Sequence, residues 1–133
     1  MLIAYASMTG NVRRFTSRLS FPVVNIKEIE QIDEPYVLVT YTFRFGDVPQ
    51  EVNVFLDRHF NNRRNLVGVA ASGNRNWGSL FARAADVIAA KFQVPVLHKF
   101  ELAGSEEDLQ IFTEKVREIE QLSRNQCANG CAV

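Results

Sequence analysis

The sequence predicts an α/β fold: one open, mainly parallel, five-stranded sheet with helices on both faces. Three observations carry that prediction. Short runs of β-formers alternate with stretches of helical periodicity in the order β-α-β-β-α-β-α-β-α. One run, Tyr36-Val37-Leu38-Val39-Thr40-Tyr41, is apolar almost throughout, as suits a strand buried on both faces of a parallel sheet. The chain is 133 residues long and 47% hydrophobic with 10 Phe, enough for one packed core.

The elements follow in order. Leu2-Ile3-Ala4-Tyr5-Ala6 reads as the first strand, and Val12, Phe15 and Leu19 mark one face of the first helix. Phe21–Ile26 is a short second strand, and residues 27–35 are a polar connection closing on Pro35. After the third strand, Thr40–Pro49 is irregular and aromatic. Pro49 then opens a helix with Val52, Phe55, Leu56 and Phe60 on one face. Leu66–Ala71 is a fourth strand, ending in the loop Ser72–Gly78. Leu80, Phe81, Ala84, Ala85, Ile88 and Phe92 recur at helical spacing. Val94–Leu102 reads as an edge strand. Leu109, Phe112, Val116 and Ile119 stripe a last helix capped by Ser105, with Asp108 three residues on. Residues 1–122 make the domain, and 123–133, with Cys127 and Cys131, a disordered tail with reduced thiols.

Fifteen acids balance fifteen bases, so no bulk field draws the chain to nucleic acid or to a membrane surface. Arg13, Arg14, Arg18 and Arg58, Arg63, Arg64 are local basic clusters. The sequence shows no secretion signal and no run of about 20 apolar residues, so the cytoplasm is the expected compartment. No His, Cys or carboxylate set has metal-ligand spacing, and His59 and His98 read as structural.

Five strands of this kind fit the flavodoxin-like order 2-1-3-4-5, which places ligands beyond the carboxyl ends of the strands, between strands 1 and 3. Three loops meet there. Ser7-Met8-Thr9-Gly10-Asn11-Val12 joins a strand to a helix start, where unpaired N–H groups and hydroxyl side chains can seat a phosphate. An ordinary capped turn would use the same residue types. The loop is neither a Walker loop nor a dinucleotide fingerprint. Thr40, Tyr41, Thr42, Phe43, Arg44, Phe45 and Gly46 form the second loop, and Ser72, Gly73, Asn74, Arg75, Asn76, Trp77 and Gly78 the third. A phosphate seat beside Tyr41, Phe43, Phe45 and Trp77 suits a phosphorylated ligand with a flat ring, foremost flavin mononucleotide (FMN). A receiver domain is rejected, because Ser7 and Thr42 stand where its acidic cluster would be.

The motifs Ser-Met-Thr-Gly-Asn-Val, Thr-Tyr-Thr with Phe-Gly and Val-Pro, Ala-Ser-Gly-Asn-Arg-Asn-Trp-Gly and His98–Gly104 resemble the NrdI family over roughly residues 1–120. Its members are small flavodoxin-like proteins that serve class Ib ribonucleotide reductases. The resemblance implies FMN, with Ser7, Thr9, Gly10, Asn11 and Val12 at the phosphate and the ring between Thr40–Gly46 and Ser72–Gly78. It also implies a role as an accessory flavoprotein rather than a stand-alone enzyme. An unidentified reductant charges the flavin, O2 takes an electron to give superoxide, and the small subunit NrdF uses that oxidant at its dimanganese site. A general flavodoxin acting as a one-electron carrier is the alternative, and a flavin-free phosphate-binding module is a further one. Many family members carry glycine or another small residue at the position of Arg44, in a loop whose peptide turns toward flavin N5 on reduction. Arg44 is a fixed cation there, expected in solvent as a charge for docking. Gly73 and Gly78 are expected to serve the ring.

Overall fold

The computed structural model describes residues 1–44 and 46–130, and the side chains of all of these except 77 and 123–130. Its centre is β3 (Tyr36–Tyr41), whose first five residues are buried. With β1 (Leu2–Tyr5), β2 (Val23–Asn25), β4 (Leu66–Gly73) and β5 (Val96–Glu101) it forms a wholly parallel sheet in the order β2-β1-β3-β4-β5. Ile3 pairs with Val23 on one side and Val37 on the other, so β1 is an interior strand flanked by later ones.

Parallel strands need crossover connections; that from β2 to β3 carries only the 3-10 turn Ile26–Glu28, and the α-helices of the others divide between the two faces. On one face lie α1 (Asn11–Ser17) and α5 (Glu106–Gly130). Phe15 of α1 stacks on Phe100 of β5 at 4.0 Å between ring centroids and meets Phe112 of α5 edge-on at 5.5 Å. All three rings are fully buried, each contributing about 1.5–3 kcal/mol by leaving water. The other face takes α2 (Gln50–Arg58) and α4 (Arg83–Phe92), which bury Val52, Phe55 and Leu56, and Ala85 and Ile88. No helix of the described residues is long and apolar enough to cross a membrane.

Several boundaries differ from the sequence reading. The helix opened by Pro49 does not reach Phe60. His59 is extended (φ −143°), and a separate short α3 (Phe60–Arg64) follows, leaving Phe60 62% exposed. The break has a reason that no periodicity carries. Asn62 is fully buried, and its Nδ2 donates to the carbonyls of Glu30 and Phe55 at 2.9 Å. Its Oδ1 accepts the Ile32 N–H at 2.8 Å, and the Tyr36 hydroxyl donates to its carbonyl. One amide thus ties the 27–35 connection to the helix, and a continuous helix would carry Asn62 away from it. Ile26 leaves the second strand for a 3-10 turn, and Leu80 and Phe81 precede α4 rather than joining it. The backbone of α5 continues past residue 122, while residues 131–133 lie outside the described residues.

The cap of α5 forms as the sequence predicts, with an added partner. Asp108 Oδ2 accepts from the Ser105 N–H and hydroxyl at 2.8 and 3.0 Å, the Asp108 N–H donates to Ser105 Oγ, and Asp108 Oδ1 lies 2.7 Å from His98 Nε2. Burial raises the Asp108 pKa, but the hydrogen bonds from His98 and Ser105 outweigh it and hold the carboxyl below its ordinary range. A depressed carboxyl stabilises the fold above its unfolded-state pKa, and that stability is lost as pH falls through the folded-state pKa. Asp108→Asn should therefore lose about 1.5–3 kcal/mol in urea unfolding at neutral pH. The gap from the parent should close in acid. A gap independent of pH would mean that the charge is not what stabilises the cap.

Candidate functional site

The carboxyl ends of β1, β3 and β4 open on a cavity of about 210 Å³ that brings the three predicted loops together. From the first loop come Ser7, Met8, Thr9, Asn11 and Val12; from the second Tyr41, Thr42 and Arg44; from the third Ser72, Gly73 and Asn74.

In the first loop Gly10, at φ +89°, turns the chain into α1. Ser7 acts first as an acceptor: its Oγ takes the N–H groups of Gly10 and Arg13 at 3.2 and 3.3 Å. The N–H groups of Thr9, Asn11 and Val12 have no partner among the described residues. Arg14 Nη2 donates to Asn11 Oδ1 at 2.5 Å. A guanidinium offers no acceptor, so this contact fixes the amide and leaves Asn11 Nδ2 as its free donor.

The second loop is a tight hairpin. Phe43 and Asp47 exchange both backbone hydrogen bonds at 2.8 Å, with Arg44 at φ +50° and Gly46 at φ +101° between them. Phe45 lies outside the described residues. Thr42 Oγ1 is buried and has no hydrogen-bond partner among the described residues. Tyr41 donates its hydroxyl to Glu51 Oε1 at 2.8 Å. Burial, and then that carboxylate, push the Tyr41 pKa up to about 12, so its phenol stays neutral at physiological pH. Arg44 is exposed on the cavity wall, with its guanidinium carbon 5.1 Å from the Phe43 ring centroid. Not every residue of the predicted loop faces the cavity. Thr40 is buried in the sheet with its hydroxyl on the Tyr41 carbonyl, and Phe43 and Gly46 line a separate groove toward Arg83.

The third loop begins inside β4, since Ser72 and Gly73 are still strand. Ser72 Oγ donates to the Leu102 carbonyl at 2.8 Å, and Asn74 Oδ1 accepts the Asn76 N–H at 2.9 Å. The backbone of Trp77 belongs to the 3-10 turn Arg75–Leu80, and Asn76 and Gly78 are exposed outside the cavity lining. Leu80, Ala82 and Leu102 also line the cavity and were not singled out from the sequence. The end of the last strand is a carboxyl end like the others, and that rule was the available signal for Leu102.

The two glycines of this loop meet different constraints within the chain itself. A Cβ on Gly73 would lie 2.5 Å from the backbone N of Ala82, so this glycine is required by chain packing. Gly78 has open space around it but holds φ +57°, ψ −121°, a conformation that costs other residues dearly. Gly73→Val should thus lower the stability of the flavin-free protein by about 2 kcal/mol or more. Gly78→Ala should lower it by about 1 kcal/mol from backbone strain alone. Equal, negligible losses in calorimetry would contradict both assignments.

Residues 3–114 match the family described as NrdI, flavodoxin-like. The protein NrdI of Macrococcus caseolyticus is 48% identical over 122 residues, spanning 91% of this chain and 92% of that protein. Among solved structures, a short-chain flavodoxin associated with a bacterial microcompartment superposes with a TM-score of 0.65 at 22% identity, covering 91% of this chain and 96% of the other. A Fusobacterium nucleatum flavodoxin bound to flavin mononucleotide gives 0.55 at 20% identity, covering 90% and 96%. These two likenesses are of fold.

Proposed function

The chain belongs to the NrdI flavodoxin-like family, and from that premise we propose that it binds FMN in this cavity and serves a class Ib ribonucleotide reductase. The observation that carries the reading is the set of polar groups without partners. Three backbone N–H groups and the free donors of Thr9 and Asn11 gather at the first loop, and the buried Thr42 hydroxyl stands farther along the same cavity. A buried hydroxyl left unpaired is costly, and accessible donors converging at a helix start suit an anion, so a phosphate with an adjoining ring edge would satisfy both ends.

In this proposal Ser7, Met8, Thr9, Gly10, Asn11 and Val12 wrap the phosphate. Tyr41, Thr42, Arg44, Ser72, Gly73 and Asn74 would flank the ring, with Phe43, Gly46, Asn76, Gly78 and the backbone of Trp77 shaping the two outer loops and Thr40 buried in β3 behind them. Bound there and reduced, FMN would supply one-electron chemistry toward O2, and the superoxide so formed would serve the dimanganese site of NrdF in assembly of its tyrosyl radical. The chain's own part is electrostatic and positional. Among the described residues the cavity lining contains no carboxylate and one fixed cation, Arg44, so a negatively charged reduced ring would meet little repulsion. An unidentified reductant charges the flavin, and the protein works in the cytoplasm as an accessory flavoprotein.

Two measurements test this. Thr9→Ala should weaken FMN about tenfold or more in calorimetric titration, since a charge-assisted hydrogen bond contributes about 1.5–3 kcal/mol. Unchanged affinity would place the phosphate elsewhere. The FMN-loaded protein, reduced and then exposed to air beside manganese-loaded NrdF, should release superoxide detectable with a dismutase control and generate the radical. Slow reoxidation without superoxide would instead identify a general one-electron carrier.

A further inference from the structure

Tyr41 stands where the cavity joins the rest of the fold. It is the last residue of β3, its half-buried side chain packs against the apolar clusters on both faces of the sheet, and it lines the cavity. Its hydroxyl is directed elsewhere. It donates at 2.8 Å to Oε1 of Glu51, which lies outside the cavity lining in the first turn of α2.

Glu51 is itself held in place. Its Oε2 is 3.2 Å from Lys27 Nζ, and its side chain is only 20% exposed. Lys27 belongs to the 3-10 turn between β2 and β3, and its own N–H donates to the capping Asn25 Oδ1 at 2.9 Å. A carboxylate in the first turn of a helix is also favoured by the helix dipole. Glu51 and Lys27 line a separate groove with Gln50, Val54 and Arg58, so the carboxylate reaches the tyrosine from behind the cavity wall. Three segments thus converge on one phenol: the end of β3, the start of α2 and the connection that follows β2.

This bond has two consequences for a ligand. A tyrosine at a cavity wall turns about two side-chain torsions, and confining it to one rotamer costs conformational entropy. Here the far end of the ring is bound before any ligand arrives, so binding need not order it, which is how preorganised sites gain affinity. The bond also decides what Tyr41 presents. Its single O–H is used by Glu51, so the cavity receives the aromatic ring of a neutral phenol and not a hydrogen-bond donor.

We propose that Glu51 is a positioning residue for the flavin: by binding the Tyr41 hydroxyl it fixes the Tyr41 ring as one wall of the ring site. The inference rests on the reading that FMN occupies this cavity. The competing role for the bond is plain support of the fold. That role would lower the stability of the flavin-free protein on loss of Glu51 and leave FMN affinity and the spectrum of the bound flavin alone.

The test titrates FMN into the protein and its variants, following flavin fluorescence and the visible absorption band. Glu51→Ala should weaken FMN about fivefold. Glu51→Gln leaves an acceptor for the hydroxyl and should bring affinity back to within about twofold of the parent. Tyr41→Phe should lose about as much as Glu51→Ala, and the two together no more than either alone, because both remove one bond. The visible band of bound FMN should shift alike in Glu51→Ala and Tyr41→Phe and return in Glu51→Gln. Asp57→Ala, which removes an exposed carboxylate near the far end of α2, should change affinity less than about twofold.

A second arm needs no flavin. In the flavin-free protein with 13C-labelled tyrosine, the Tyr41 ring resonances should move or broaden in Glu51→Ala and keep their place in Glu51→Gln. Those of Tyr5 and Tyr36 should stay unchanged in both. Equal FMN affinity in the parent and Glu51→Ala, additive losses in the double variant, or a Tyr41 ring that Glu51→Ala leaves unmoved would overturn the inference and leave the FMN site standing. A parent protein that takes up no FMN would overturn the proposed function, and this inference with it.

Discussion

The structure depends on the pairing of β1 with strands on both of its sides. β2 follows β1 in the chain and takes one edge, and the next crossover must then return past β1 to lay β3 on the other. Right-handed crossovers in opposite directions put α1 on one face of the sheet and α2 on the other. Where the winding reverses, the chain leaving β1 and the chain leaving β3 part to opposite faces, and no helix covers the gap between them. The cavity is that gap. Its polar groups need not be gathered by long-range folding of loops, because the strand ends deliver them side by side.

That constraint explains why so much of the architecture was legible in the sequence. Strands buried on both faces need uninterrupted apolar runs, and Tyr36–Tyr41 and Leu66–Ala71 supply them. Helices with one buried stripe need spaced ones, and Phe15, Val52, Ile88 and Phe112 fall on them. The cap Ser105–Asp108 is local and was equally plain. What was not legible is what depends on distant groups. Nothing near Asn62 says that its amide will bind the carbonyls of Glu30 and Phe55, so nothing warned that the helix must break at His59 and leave Phe60 in water. Gly73 looked like a loop glycine, and only the approach of Ala82 shows that it is a packing glycine.

The three loops do line one cavity, but not every residue of them reaches it. Thr40 lies in the buried body of β3, whereas Tyr41 ends the strand and Thr42 follows it, so only the latter two reach the cavity, a distinction that a continuous loop motif hides. Positive φ at Ala82 and Leu102 is invisible in residue type, since neither is glycine or asparagine. Both residues line the cavity, as does Arg44, whereas the remaining described non-glycine residue at positive φ, Gln93, ends α4 away from it.

Arg44 joins these threads. At φ +50° it occupies a backbone region that costs a non-glycine residue about 1 kcal/mol, in the loop where the family resemblance leads one to expect a small residue. The hairpin around it is closed by two reciprocal hydrogen bonds between Phe43 and Asp47, so any rearrangement of backbone there is confined to residues 44–46. The side chain, though exposed, lies over the Phe43 ring, with its guanidinium carbon 5.1 Å from the ring centroid. A residue that strains its own backbone, sits in a closed hairpin and keeps its charge unpaired gives the isolated domain no evident stability. Among the described residues lining the cavity Arg44 is the one cation, so under the proposed function it is the charge that a negatively charged ring would meet there.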